Sequence, residues 1–143
     1  MPDFENIEVK NVFNSYPVEI KEKMFSLRSL IFAAASNSQS NKQSVNIVTE
    51  CLKWGEASYI CKTGSTIRLD WKSKDPSNLH VYLNCKSKLI ETMRIIYADE
   101  LGFEGNRIIL IPINKSLPKE ILMHCFSMAL NYHKIKHLPL LGA

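Results

Sequence analysis

No stretch of the 143-residue chain comes near the roughly 18 consecutive apolar residues of a membrane-spanning helix. No run of five like charges appears either, which argues against an electrostatic tail for nucleic acid or membrane surfaces. Glycine is scarce at five residues and proline at six, so collagen-like and low-complexity architectures are excluded. The four cysteines, Cys51, Cys61, Cys85 and Cys125, contain no CxxC pair. That is neither a disulfide scaffold nor a zinc or redox motif, and the thiols are expected to stay reduced. The first residues, Met1 to Glu5, are acidic and lack the basic-then-apolar order of a signal peptide. The expected compartment is the cytoplasm. P-loop, dinucleotide-binding, zincin and nucleophile-elbow strings are all missing.

What is present is ordinary for a folded chain: 45% hydrophobic and 22% charged residues. At this length one domain, 1–143, is expected, and it can bury about two-thirds of its unfolded surface. Eighteen Lys and Arg against fourteen Asp and Glu leave a net charge of +4, spread along the sequence. Transient association with an acidic partner is compatible with that balance.

The hydrophobic period changes along the chain. A short helical turn is expected at Val9 to Asn14. A longer helix follows Tyr16-Pro17, with proline at its first position. Ile20, Met24, Leu27, Ile31 and Ala34 recur at spacings of four and three, an amphipathic stripe. A polar loop is expected at Ser36 to Asn41. Residues 45–54 fit either a strand or a short helix. Ser65 to Trp71 and Leu79 to Cys85 then alternate strictly, as half-buried antiparallel strands do. Lys62-Thr63-Gly64 joins the first of them to a strand at Ala57 to Cys61, and Asp75 to Asn78 supplies another turn. A helix is expected from Lys86 to Asp99, then a turn at Glu104 to Asn106. The run Arg107 to Ile111 shows little alternation, as a strand covered on both faces would. A last helix starts at Leu117-Pro118 and is stopped by Pro139 and Gly142. This order predicts an α+β two-layer sandwich, a small antiparallel sheet of four to five strands with helices on one face.

Thr66, Arg68, Asp70, His80, Tyr82 and Asn84 should then share the face turned from the helices. Arg68 and Tyr82 together suit a carboxylate, a phosphate or a partner. His133 falls at the angle of Leu122, Phe126 and Ala129, so it is expected to point into the core, with His137 four residues on as a possible second metal ligand. Cys51, Cys61 and Cys85 lie in or beside strands and read as small hydrophobes. Arg68, Trp71, Lys72 and Lys74 mix basic and aromatic side chains, but alternation turns Trp71 to the core. That argues against a nucleic-acid platform.

Several ordered strings resemble the YdhG-like family, a domain of unknown function. They are Val12 to Pro17 followed by Leu27-Arg28, Glu50 to Tyr59, Gly64 to Leu69, Gly105 to Arg107 and Ala129 to Lys136. The resemblance runs from about Val12 to the end and implies a compact α+β sandwich. It marks Glu50, Lys53, Trp54, Ser58, Tyr59, Arg68, Arg107 and His133 as ligand-binding candidates and carries over no catalytic residue. Some family members are described as frataxin-like iron chaperones, for which Asp3, Glu5, Glu8, His133 and His137 are the available metal candidates here. Iron needs oxygen ligands and negative potential, whereas the first long helix interleaves Glu19, Lys21, Glu22 and Lys23. The leading expectation is a non-enzymatic binding domain. An iron chaperone and a small enzyme with a pocket near Tyr59, Arg68 and His133 are the alternatives.

Overall fold

The computed structural model describes residues 3–37 and 47–143. Helix α1, Ile7–Ser15, begins where Asn6 turns its side-chain oxygen onto the backbone N–H groups of Glu8 and Val9, at 3.0 and 3.1 Å. Those two donors have no partner within the helix, so the cap satisfies them. Tyr16-Pro17 ends the helix, and α2, Val18–Asn37, follows with the Lys21 N–H bonded to the Pro17 carbonyl. Its stripe of Ile20, Met24, Leu27, Ile31 and Ala34 is buried as the periodicity predicts. Ser36 and Asn37 belong to the helix; the rest of the expected polar loop lies outside the described residues.

Six strands form one antiparallel sheet in the order β1-β2-β3-β4-β6-β5. They are β1 Thr49–Lys53, β2 Glu56–Ile60, β3 Ile67–Asp70, β4 Asn78–Tyr82, β5 Gly102–Glu104 and β6 Ile108–Pro112. Helices α3 Leu89–Ile96, α4 Lys119–Leu130 and α5 Tyr132–Ile135 complete the chain, with a closing 3₁₀ turn at Pro139–Gly142. Ala57, Tyr59, Ile67, Leu69, Leu79, Val81 and Ile109 point to one face and are wholly buried there. That face carries the helices: α1 lies on β1 and β2, and α2 packs along α4. The result is an α+β fold with one more strand than expected.

One alternative is decided and two expectations are corrected. The segment left open at 45–54 is strand over Thr49–Lys53, with Val45 and Asn46 outside the described residues. Strand β6 is covered on one face only: Ile109 and Ile111 are buried while Ile108, Leu110 and Pro112 are half-exposed. Its unbroken apolar run hid an alternation that depends on neighbours, with β4 on one side and short β5 on the other. The last helix does not run on to Pro139. It stops at Leu130, and Asn131 intervenes before the single turn of α5.

That stop is made by the β2–β3 hairpin. The Leu130 carbonyl accepts from the Thr63 hydroxyl at 2.9 Å and the Cys61 thiol at 3.1 Å, and the Ala129 carbonyl accepts from the Ser65 N–H at 2.8 Å. The carbonyls at a helix end have no partner of their own, so the hairpin caps α4. Gly64 permits the approach, since a β-carbon there would sit 2.5 Å from the Leu130 oxygen. The redirected chain then returns the His133 N–H to the Thr63 carbonyl at 2.9 Å.

Candidate functional site

Arg68 on β3 and Tyr82 on β4 are direct cross-strand partners, and both alternate with the residues that face the helices. Above them lies an open groove of about 500 Å³. One end is the β1–β2 hairpin with Lys53 and Trp54. The β2–β3 loop and α5 contribute Ser65, Thr66 and His133, while Lys86 and Arg107 come from the loops flanking α3 and β6. Four Lys or Arg line it, Lys53, Arg68, Lys86 and Arg107, and no Asp or Glu does.

The floor is a fixed polar layer. Tyr82 is held by a chain in which His80 Nδ1 lies 3.0 Å from its hydroxyl and His80 Nε2 lies 2.7 Å from Asp75. The hydrogen bond from His80 holds the Asp75 carboxyl below the usual carboxylate range. An ionised Asp75 can only accept, so a neutral His80 keeps its proton on Nε2 and accepts the Tyr82 O–H at Nδ1. The Arg68 guanidinium sits 5.6 Å from the centre of the Tyr82 ring, within cation–π range.

Carboxylates beside this floor are already occupied. Glu56 lies 3.7 Å from Arg68 and 3.3 Å from Lys72, and Asp70 lies 2.9 Å from Lys72. The hydrogen bond to Asp70 raises the Lys72 pKa. Asp70 also accepts from the Tyr16 hydroxyl at 2.8 Å, and burial together with that carboxylate pushes the Tyr16 phenol up. Lys53, Lys86 and Arg107, by contrast, form no ion pair among the described residues.

The sequence candidates therefore divide. Lys53, Trp54, Arg68, Arg107 and His133 line the groove. Ser58 lies beneath it, wholly buried beside Arg68, with its hydroxyl donating to the Glu56 carbonyl at 3.0 Å. Glu50 and Tyr59 are on the other side of the sheet. Glu50 accepts from Arg28 at 2.6 and 2.9 Å and from the Tyr59 hydroxyl at 2.7 Å. Arg28, in turn, lies 4.0 Å from the Phe4 ring and 5.0 Å from that of Phe32. Burial, and then Glu50, raise the Tyr59 pKa far above that of a free phenol. Arg68 and His133 thus share a groove, and Tyr59 is not part of it.

His133 is exposed, not a core residue. The angular argument assumed one helix from Leu122 to His133, and the break at Asn131 resets the phase. The same break removes the His133–His137 helical pair, because α5 ends at Ile135. Asp3, Glu5 and Glu8 are exposed at the amino end, where Asp3 offers its backbone carbonyl to Arg28. Among the described residues, no three His, Cys, Asp or Glu side chains are grouped so that they could hold a metal ion. Cys85 is exposed on the groove wall and is no small core hydrophobe; β4 ends at Tyr82, so alternation no longer applies to it. Cys125, by contrast, is buried, which pushes its thiol pKa up to about 12. Lys86 and Ser87 also line the groove but follow β4 in a loop, where no periodicity points to them.

No described helix is long and apolar enough to cross a membrane. Compared with known proteins, the chain matches no family model, no curated protein and no solved structure.

Proposed function

We propose that the protein is a binding domain for a small anionic ligand, held in the groove above Arg68 and Tyr82. The observation that carries this is the sign of the lining: four cationic side chains and no carboxylate, with three of the four lacking any ion-pair partner among the described residues. Unpaired cations converging on a concave surface are a standing electrostatic cost that an anion relieves. The volume lies within the range of small-molecule sites. A second hollow, about 420 Å³ beside α2, mixes Glu19 and Glu22 with Lys23 and Lys119 and has no such bias. Five of the eight positions marked by the YdhG-like resemblance line the groove, which supports the same surface. The charge there is opposite to what a hard cation such as iron requires, so no iron site is proposed.

Calorimetric titration with inorganic phosphate at low salt tests the reading. Saturable binding is expected, with melting temperature rising with ligand concentration as mass action requires. Arg107→Gln should weaken binding about tenfold, the usual scale for one charge-assisted hydrogen bond, and leave melting without ligand nearly unchanged, since Arg107 is exposed. Equal affinity in wild type and Arg107→Gln would refute it.

A further inference from the structure

Trp54 is a residue that the hairpin does not account for. Lys53 pairs with Glu56, so Trp54 and Gly55 form a two-residue turn with φ of 57° and 78°. Such a turn requires positive φ at both positions and favours Asn-Gly, because a bulky side chain is strained there. Packing gives nothing back, as Trp54 is 86% exposed. A strained backbone carrying a large side chain that stabilises nothing in the fold points to a use outside the fold. The side chain does not stand on a flat patch: it lines the same groove as Arg68, Lys86 and Arg107.

We infer that the groove takes a small molecule in which a planar aromatic ring is tethered to a phosphate, the ring against Trp54 and the phosphate among Arg68, Lys86 and Arg107. This rests on the anion-binding reading above. Indole is the strongest aromatic partner for a stacked ring, and arginine forks match phosphate oxygens in pairs. The spacing suits one small molecule. Arg68 on β3 lies across from Ser58 on β2, two residues past the Glu56 that closes the Trp54 turn, so about 7 Å along the strand and about 5 Å across it separate the two backbones.

A single-stranded nucleic acid would need successive stacking faces. Of the groove's other rings, Tyr82 is buried with its hydroxyl on His80 and Tyr132 is buried with its hydroxyl accepting the Lys88 N–H at 3.0 Å, which leaves the His133 imidazole as the one further exposed ring and no run of stacking faces. A nucleoside monophosphate and a simple aryl phosphate share the required chemistry.

The experiment compares adenosine monophosphate, phenyl phosphate, ribose 5-phosphate and inorganic phosphate on the full chain carrying Trp71→Phe. That change leaves Trp54 as the only one of the two tryptophans. The ring-bearing phosphates are expected to bind about tenfold or more tightly than ribose 5-phosphate, the scale of one stacked base, and to quench Trp54 fluorescence. Trp54→Ala should remove that advantage while leaving inorganic phosphate binding unchanged. Phenyl phosphate matching the nucleotide supports the ring-and-phosphate chemistry with a source other than a nucleotide. Equal binding of adenosine monophosphate and ribose 5-phosphate, both weakened about tenfold in Arg107→Gln, overturns the ring and leaves the anion reading standing. Failure of all four probes overturns both. Oligoadenylates whose affinity climbs with length overturn the small-molecule class.

Discussion

Arg28 is 1% exposed, so its charge is carried entirely by neighbours inside the protein. Glu50 meets it with both carboxylate oxygens and also accepts from Tyr59, while Phe4 and Phe32 lie against the guanidinium. A buried pair of this kind adds little net stability over an apolar pair of the same shape, but breaking it strands a charge. Glu50→Ala is therefore expected to cost about 3–5 kcal/mol, far above an ordinary surface change. Arg28→Met combined with Glu50→Leu should recover most of that loss in chemical denaturation. Additive losses in the double variant would mean that the two side chains act independently. The resemblance that marks Glu50 and Tyr59 as ligand candidates thus meets a network inside the core. From sequence alone, nothing separates a glutamate that binds a ligand from one that neutralises an arginine 22 residues away.

At the scale of elements, periodicity succeeds where one element supplies the whole pattern. The α2 stripe and the alternation of β3 are set by local geometry and appear where that geometry predicts them, whereas β4 forms in the expected place but is buried on both faces, His80 and Tyr82 included, and is not half-buried as its alternation suggests. Periodicity fails where a second element decides. Strand β5 has only three residues, too few for an alternation to show. The end of α4 is fixed by the β2–β3 hairpin, about 66 residues earlier in the chain, through the bonds to Ala129 and Leu130. Reading α4 onward through Asn131 placed His133 in the core, whereas the hairpin sends it to the groove. The junction makes a clear prediction at Gly64. Gly64→Ala brings a methyl group onto the Leu130 and Ala129 carbonyls and should destabilise the protein by about 1–3 kcal/mol, the scale of overpacking. Hydrogen exchange should rise first at the Ser65 and His133 amides, whose partners sit at this joint. Exchange rising equally across all strands would show instead that the joint is not a local fastening.

For the whole molecule, four of the basic side chains share one groove. Lys53, Arg68, Lys86 and Arg107 are four of eighteen basic residues, and the remaining fourteen are matched by fourteen Asp and Glu. The groove thus gathers four like charges, of which only Arg68 has a carboxylate beside it, the Glu56 it shares with Lys72. In sequence those four are separated by fifteen to twenty-one residues, so no charge run betrays them. Only the assembly of the sheet, in which β3 and β4 stand between β2 and β6, brings them together, which is why composition shows a mildly basic chain and not a site. Like charges held close in the folded state and free to separate when unfolded lower stability. Lys86→Gln with Arg107→Gln should therefore raise stability at low salt, by roughly 0.5 kcal/mol for exposed positions. The gain should fade as sodium chloride brings the Debye length below about 10 Å. Removing two exposed cations outside the groove, Lys10 and Lys134, takes away the same net charge and is the control. An equal gain in that variant would mean that repulsion is spread over the surface. A gain confined to the groove pair would show that the fold holds these cations together at a cost in stability.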